Sequence, residues 1–228
     1  MDRKAFFSTL RQRGSGVFGT SLSQHQVNGL ETILTEAERR KTPLKWLAYI
    51  LATAYHETAH TMQPIAEYGK GKGRKYGVNG KYGQVPYGRG YVQLTWDYNY
   101  EKADKELGLR GALLHNFDLA MSPKIAVQIL FTGMEEGWFT GKSLSTYTDY
   151  LPMRRIINGT DKASLIAGYA EGFERALRNA GYGQWTAPKP SVPELLAEEA
   201  AKPVIPAPVK VHWLTALINA ILSMFKKG

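Results

Sequence analysis

Cysteine is absent from the chain. That excludes a disulfide framework, a cysteine-ligated metal and a thiol nucleophile. It is compatible with a reducing compartment without requiring one. Long apolar runs are scarce as well. Met1 to Leu10 is charged and holds no stretch long enough for a signal peptide, so another agent is expected to carry the chain out of the cytoplasm. The C-terminal apolar run, residues 211–225, would reach only ~22 Å as a helix against a ~30 Å hydrocarbon core. Acidic residues are in deficit, 20 against 29 Lys and Arg, for a net charge of +9. Such a surplus favours an anionic partner, whether nucleic acid, a membrane surface or the bacterial cell wall. The densest basic run is Lys70-Gly71-Lys72-Gly73-Arg74-Lys75, which a solvated loop would also explain. No helix-turn-helix, zinc knuckle or other nucleic-acid signature accompanies it, so no nucleic-acid partner is expected.

The pattern that is present is mostly helical. From Leu22-Ser23 onward, Val27, Leu30, Ile33, Leu34 and Ala37 recur at i, i+3 and i+4, up to the basic Arg39-Arg40-Lys41. Thr42 is placed to cap a second helix with Pro43 at its first position. Leu44, Leu47, Leu51, Tyr55, Thr58 and Met62 mark its buried face, and Pro64 stops it. Residues 65–90, rich in Gly, Lys and Tyr, read as a loop or small hairpin. Further helices are expected from about Tyr98 to Leu107, Ser122 to Trp138 and Asp161 to Ala180, the last capped by Asp161 and closed at Gly181.

After Trp185 come six of the eleven prolines. The expected organisation is a catalytic-sized domain over 1–185, a proline-rich linker over 186–210, and a cationic amphipathic helix over 211–228. That last segment suits an anionic membrane or outer-membrane surface.

His56-Glu57-Thr58-Ala59-His60 reads by itself as His-Glu-x-x-His, the zinc-protease helix. A zinc site needs a third protein ligand. Only His115 and His212 follow, neither in a suitable context, and Pro64 separates Glu67 from the helix. On a helical wheel Glu57 falls beside Thr53, Ile50 and Thr61, at the border of apolar surface and solvent. Desolvation there favours a protonated carboxyl, which a glycosidase general acid needs near neutral pH.

A second segment lies about thirty residues on: Tyr87-Gly88-Arg89-Gly90-Tyr91-Val92-Gln93-Leu94-Thr95-Trp96-Asp97-Tyr98-Asn99-Tyr100. Gly88 and Gly90 allow a tight turn around Arg89, whose paired donors suit a carboxylate. Trp96 and Tyr98 suit sugar faces, although core packing would use aromatics at this spacing too. The segment resembles the corresponding stretch of family 19 glycoside hydrolases, the chitinases and related phage endolysins, as does the His-Glu-Thr triplet. Arg154-Arg155-Ile156-Ile157-Asn158-Gly159 resembles the same family's isoleucine-asparagine-glycine turn, with Thr160 in place of its second Gly. Together these spans cover roughly residues 20–182.

The resemblance implies a mainly α, lysozyme-like α+β fold: a helical bundle with a small β/loop lobe forming a substrate cleft. It implies Glu57 as general acid and, about ten residues on, Glu67 as the second carboxylate. Asp97, Glu101 and Asp104 compete for that second role. Thr95 matches a residue that helps hold the attacking water. His56, Tyr87, Arg89, Gln93, Tyr98, Asn99 and Asn158 are the substrate-binding candidates. The expected activity is that of a monomeric, cofactor-free endolysin cutting β-1,4 bonds of peptidoglycan. Chitin is the alternative substrate, and a zinc protease the alternative of another class.

Overall fold

A computed structural model describes residues 1–183. The linker over 186–210, the helix over 211–228 and the last two residues of the domain over 1–185 lie outside the described residues. Within them the fold is mainly α, with eight α-helices and one two-stranded sheet.

Helix α1 (Arg3–Leu10), capped by the Asp2 side chain, lies within the charged N-terminal stretch. Its Phe6, Phe7 and Leu10 are buried against α8. Helix α2 (Gln24–Arg40) starts at Ser23, where Ser23 and Gln26 bond each other's backbone in a reciprocal cap. Helix α3 (Leu44–Glu57) is buried without interruption from Leu47 to Tyr55. It packs on α8 (Ala163–Asn179) and on α6 (Pro123–Glu136), which is why its apolar surface exceeds one stripe. Its start and end both depart from expectation. The cap position is Pro43, with no side-chain cap bond, and the Thr42 hydroxyl is buried without a partner. The helix stops at Glu57 rather than running to Pro64.

Helix α8 likewise begins later than expected. Lys162, in a left-handed conformation, takes the cap position, and the Asp161 carbonyl accepts a bond from Arg154 instead. Its Ile166, Ala170, Phe173, Ala176 and Leu177 face the core. Truncating Phe173 there would cost about 3–5 kcal/mol. Gly172 is required at its place, because a Cβ would lie 2.3 Å from the Ser15 carbonyl.

The second lobe is built differently. Strand β1 (Ile65–Ala66) pairs antiparallel with β2 (Arg89–Gly90), Ile65 opposite Gly90 and Ala66 opposite Arg89. The residues between them are mostly turns rather than a local hairpin. Helix α4 (Asp97–Glu106) follows, then the short α5 (Ala112–His115), and α7 (Tyr150–Met153) precedes α8. Neither short helix carries enough periods to show in the sequence.

Candidate active site

Glu57 is the last residue of α3, and the chain's exit explains why. The Thr58 hydroxyl donates to the Ala54 carbonyl at 2.7 Å and accepts the Met62 N–H at 3.0 Å, closing the helix on itself. Ala59, His60 and Met62 then take left-handed φ values, which side-chain-bearing residues rarely adopt. Helix α2 holds that strained turn. Gly29 leaves room for the Met62 carbonyl, which a Cβ would meet at 1.7 Å. Gln63 donates to the His25 carbonyl and Gln26 to the His60 carbonyl.

His60 therefore lies beyond the helix, where its ring stacks on Tyr55 at 4.1 Å. The His-Glu-x-x-His spacing is present without the helical turn that would set both imidazoles on one face. Among the described residues no three His, Asp or Glu side chains are grouped as a metal would need.

The Glu57 carboxyl is 18% exposed and accepts a hydrogen bond at 2.6 Å from Arg154, whose side chain is 5% exposed. Arg154 is aimed by its second bond, to the Asp161 carbonyl at 3.0 Å. The immediate neighbour of Glu57 is thus a cation, where the helical wheel placed only Thr53, Ile50 and Thr61. No other hydrogen bond within the described residues engages the carboxyl, so Oε2 is open to a ligand. Half-buried His56 lies in the field of this pair. Desolvation holds its imidazole below 6.5, the Glu57 charge opposes that, and the Arg154 charge adds to it. Arg154 sits in a segment singled out for Asn158 alone. The signal that would have found it is electrostatic: a carboxyl at a buried edge calls for a cation, and the Arg154-Arg155 pair lies between apolar Met153 and Ile156.

Glu67 follows β1 and is held by the lobe. Its N–H donates to the Gly88 carbonyl at 2.7 Å, and Oε2 accepts the Gly88 N–H at 3.1 Å. Oε1 accepts the Tyr76 hydroxyl at 3.0 Å. Each oxygen keeps a lone pair able to take a proton from water. Of the competing acids, only Asp104 has both carboxyl oxygens hydrogen-bonded. Asp104 accepts the Gly111 and Leu113 N–H groups. Glu101 pairs with Lys81 and Tyr82. Asp97 accepts the Lys81 N–H through Oδ2, while its buried Oδ1 has no hydrogen-bond partner among the described residues.

The remaining candidates divide into two groups. Arg89, 4% exposed, faces inward. It bonds Asp118 at 2.8 Å, the Val85 and Tyr87 carbonyls and the Tyr100 hydroxyl, and lies 3.5 Å over the Tyr87 ring. Arg89 and buried Tyr87 hold the lobe together; the Nε and Nη1 donors of Arg89 are engaged there, and Nη2 has no hydrogen bond among the described residues. Gln93 donates to the Ile65 and Gly90 carbonyls, bracing the sheet. The Thr95 hydroxyl donates to the Gln93 carbonyl at 2.7 Å and keeps lone pairs for a water; Asn99 donates to the Thr95 carbonyl. Tyr98 is 62% exposed and stacks with Trp96, ring centroids 6.3 Å apart. Tyr76 meets Trp96 edge-on at 5.3 Å, so an aromatic strip begins at the residue bonded to Glu67. Asn158 is exposed in the turn after Arg154, its oxygen accepting the Gly159 N–H.

Comparison with protein-family models and with curated proteins finds no match. Among solved structures the chain resembles chitinase C from Streptomyces griseus HUT6037, with a TM-score of 0.52 over 84% of this chain and 79% of that one. The fold is chitinase-like. At 21% identity the likeness concerns the fold alone.

Proposed function

We propose that the chain is a glycoside hydrolase cutting β-1,4 bonds of an N-acetylated glycan, with bacterial peptidoglycan as substrate and host-cell lysis as its role. The observation that carries this reading is Glu57 at the helix exit, with Oε1 clamped by buried Arg154 and Oε2 left open. Oε2 would pass its proton to the glycosidic oxygen as the C1–O bond breaks. A water held by Thr95 would form the new bond to C1 and give its proton to Glu67. Attack from the far side inverts the anomeric centre, and solvent returns the proton to Glu57. Exposed Tyr98 and Trp96 offer flat faces for sugar rings.

Peptidoglycan is preferred because the segment between Glu57 and Glu67 is short, the chain lacks cysteine, and its charge of +9 suits an anionic wall. The enzyme would be made in the cytoplasm, act as a monomer, and reach the wall after release, with residues 211–228 touching lipid. Chitin is the second reading, favoured by the likeness to chitinase C. Mass spectrometry of fragments separates the two. Muropeptides with a newly freed reducing sugar support the first reading. Chitin oligomers cut while purified peptidoglycan stays intact would replace it with the second, and released stem peptides would overturn both.

A further inference from the structure

Apart from Tyr76, which holds Glu67, the proposed cleavage does not use the loop between Tyr68 and Gly77, although the loop is a built feature. Four consecutive turns shape it: Lys70 N–H to the Glu67 carbonyl, Lys72 to Gly69, Arg74 to Gly71 and Gly77 to Arg74. It is closed at its base, where a Cβ on Gly77 would lie 1.8 Å from the Gly71 carbonyl. The Tyr76 hydroxyl bonded to Glu67 ties that base to the candidate general base.

On this frame stand Lys70, Lys72, Arg74 and Lys75, all exposed, with no acid from Tyr68 to Gly77. Elsewhere only some of the cations are matched, and none stands in so dense a basic run. Arg3, Arg39, Arg40, Lys81, Arg89, Arg154 and Arg178 each have a carboxylate partner. The four on the loop have none among the described residues. Four like charges on one closed turn repel one another, a cost that an anionic ligand would remove. Tyr68, 88% exposed, stands at the start of the loop, and the Tyr76–Trp96–Tyr98 strip begins at its end. Cations beside flat aromatic faces next to a hydrolytic carboxylate fit a sugar polymer bearing carboxylates better than a neutral one.

We propose that the loop over 68–77 is an anion-recognition subsite that binds the carboxylates of peptidoglycan and so selects it over neutral chitin. The inference rests on the hydrolase reading and names the substrate feature recognised beside Glu67. A lysine ammonium on a flexible stem suits such carboxylates, which vary in position along the strand.

The test is binding of the full chain carrying Glu57→Gln to insoluble sacculi stripped of phosphate polymers. A second protein also carries Lys70→Gln, Lys72→Gln, Arg74→Gln and Lys75→Gln. A control loses four exposed cations elsewhere, by Lys4→Gln, Arg13→Gln, Lys105→Gln and Lys142→Gln. The loop variant is expected to bind at least about tenfold more weakly at ~0.1 M salt, the gap closing as salt screens the charges. Converting the wall's carboxylates to amides should weaken the parent to the same level, an arm that holds whether or not the loop variant folds. The proposal is overturned if the loop variant binds like the parent, if the control loses as much, or if amidation changes nothing. It is also overturned if the loop matters only on sacculi that retain their phosphate polymers. Binding is read without turnover, so failure here leaves the hydrolase reading to be judged by its products.

Discussion

Glu57 and Glu67 stand ten positions apart and are held by opposite kinds of structure. Glu57 ends a helix buried on all sides, and its partner Arg154 comes from 97 residues away. Glu67 sits in a lobe of turns, held by Gly88 and Tyr76 within about twenty residues. The first site takes its precision from apolar packing of α3 against α8. The second takes it from hydrogen bonds, glycine turns and the buried Arg89 hub. Packing resists small changes, because the whole seam must yield. A hydrogen-bonded lobe depends on single donors, and losing one leaves several acceptors unpaired.

The largest effect expected on this contrast is from Glu57→Gln. Removing a general acid should lower wall hydrolysis by about 10²–10⁴-fold. The amide can still accept from Arg154, so the melting temperature should stay within roughly 4 °C of wild type. Retention of more than a few per cent of activity would remove Glu57 from the mechanism.

Next comes Glu67→Gln, with a loss of at least ~10²-fold. If Asp97→Asn or Glu101→Gln proves the more damaging change, the second carboxylate is misassigned. Tyr76→Phe, which removes one of Glu67's two donors, should cost less than Glu67→Gln and leave thermal unfolding nearly unchanged.

Arg89→Ala tests the lobe as structure. It removes a donor to the Val85 and Tyr87 carbonyls and to the Tyr100 hydroxyl and empties the space over the Tyr87 ring, so about 1–3 kcal/mol of stability should be lost, roughly 5 °C in melting temperature. Calorimetry checks this. A folded Arg89→Ala protein of wild-type stability that fails to bind glycan would return Arg89 to substrate binding.

The smallest effect concerns pH. Burial holds His56 and His60 below 6.5, so the folded chain resists protons that the unfolded chain accepts. Stability should therefore fall as pH drops below 6.5, and His56→Gln should flatten that slope. The Glu36 carboxyl adds a second fall at lower pH. Burial raises it, but bonds and charges from Arg39 and Arg40 outweigh burial and hold it below 4.5. Its contribution is present above 4.5 and is lost as pH falls through its depressed value. A melting temperature flat from pH 7 to 5 would contradict the first part.

Much of the helical half is legible from periodicity. The start of α2 near Ser23, its apolar stripe and the extent of α6 all follow from local spacing and turn chemistry. Local sequence also pairs Glu57 with the distant Gly-Arg-Gly segment as parts of one resemblance, and it isolates the basic run at Lys70. These are features of composition and short-range order, so the chain determines them without knowing what it packs against.

Tertiary structure decided the rest. Helix α3 stops at Glu57 because Gly29 and Gln26 of α2 receive the strained turn at Ala59, His60 and Met62, a contact no local pattern carries. Arg154 meets Glu57 because α7 packs on α8 and α8 on α3, across 97 residues of chain. Arg89 turns inward to Asp118, Tyr87 and Tyr100 although its glycines would also have let it face a ligand. Periodicity records which face of an element is apolar. Which distant charge meets a carboxyl, and whether an arginine serves the fold or a ligand, depends on elements brought together only by packing.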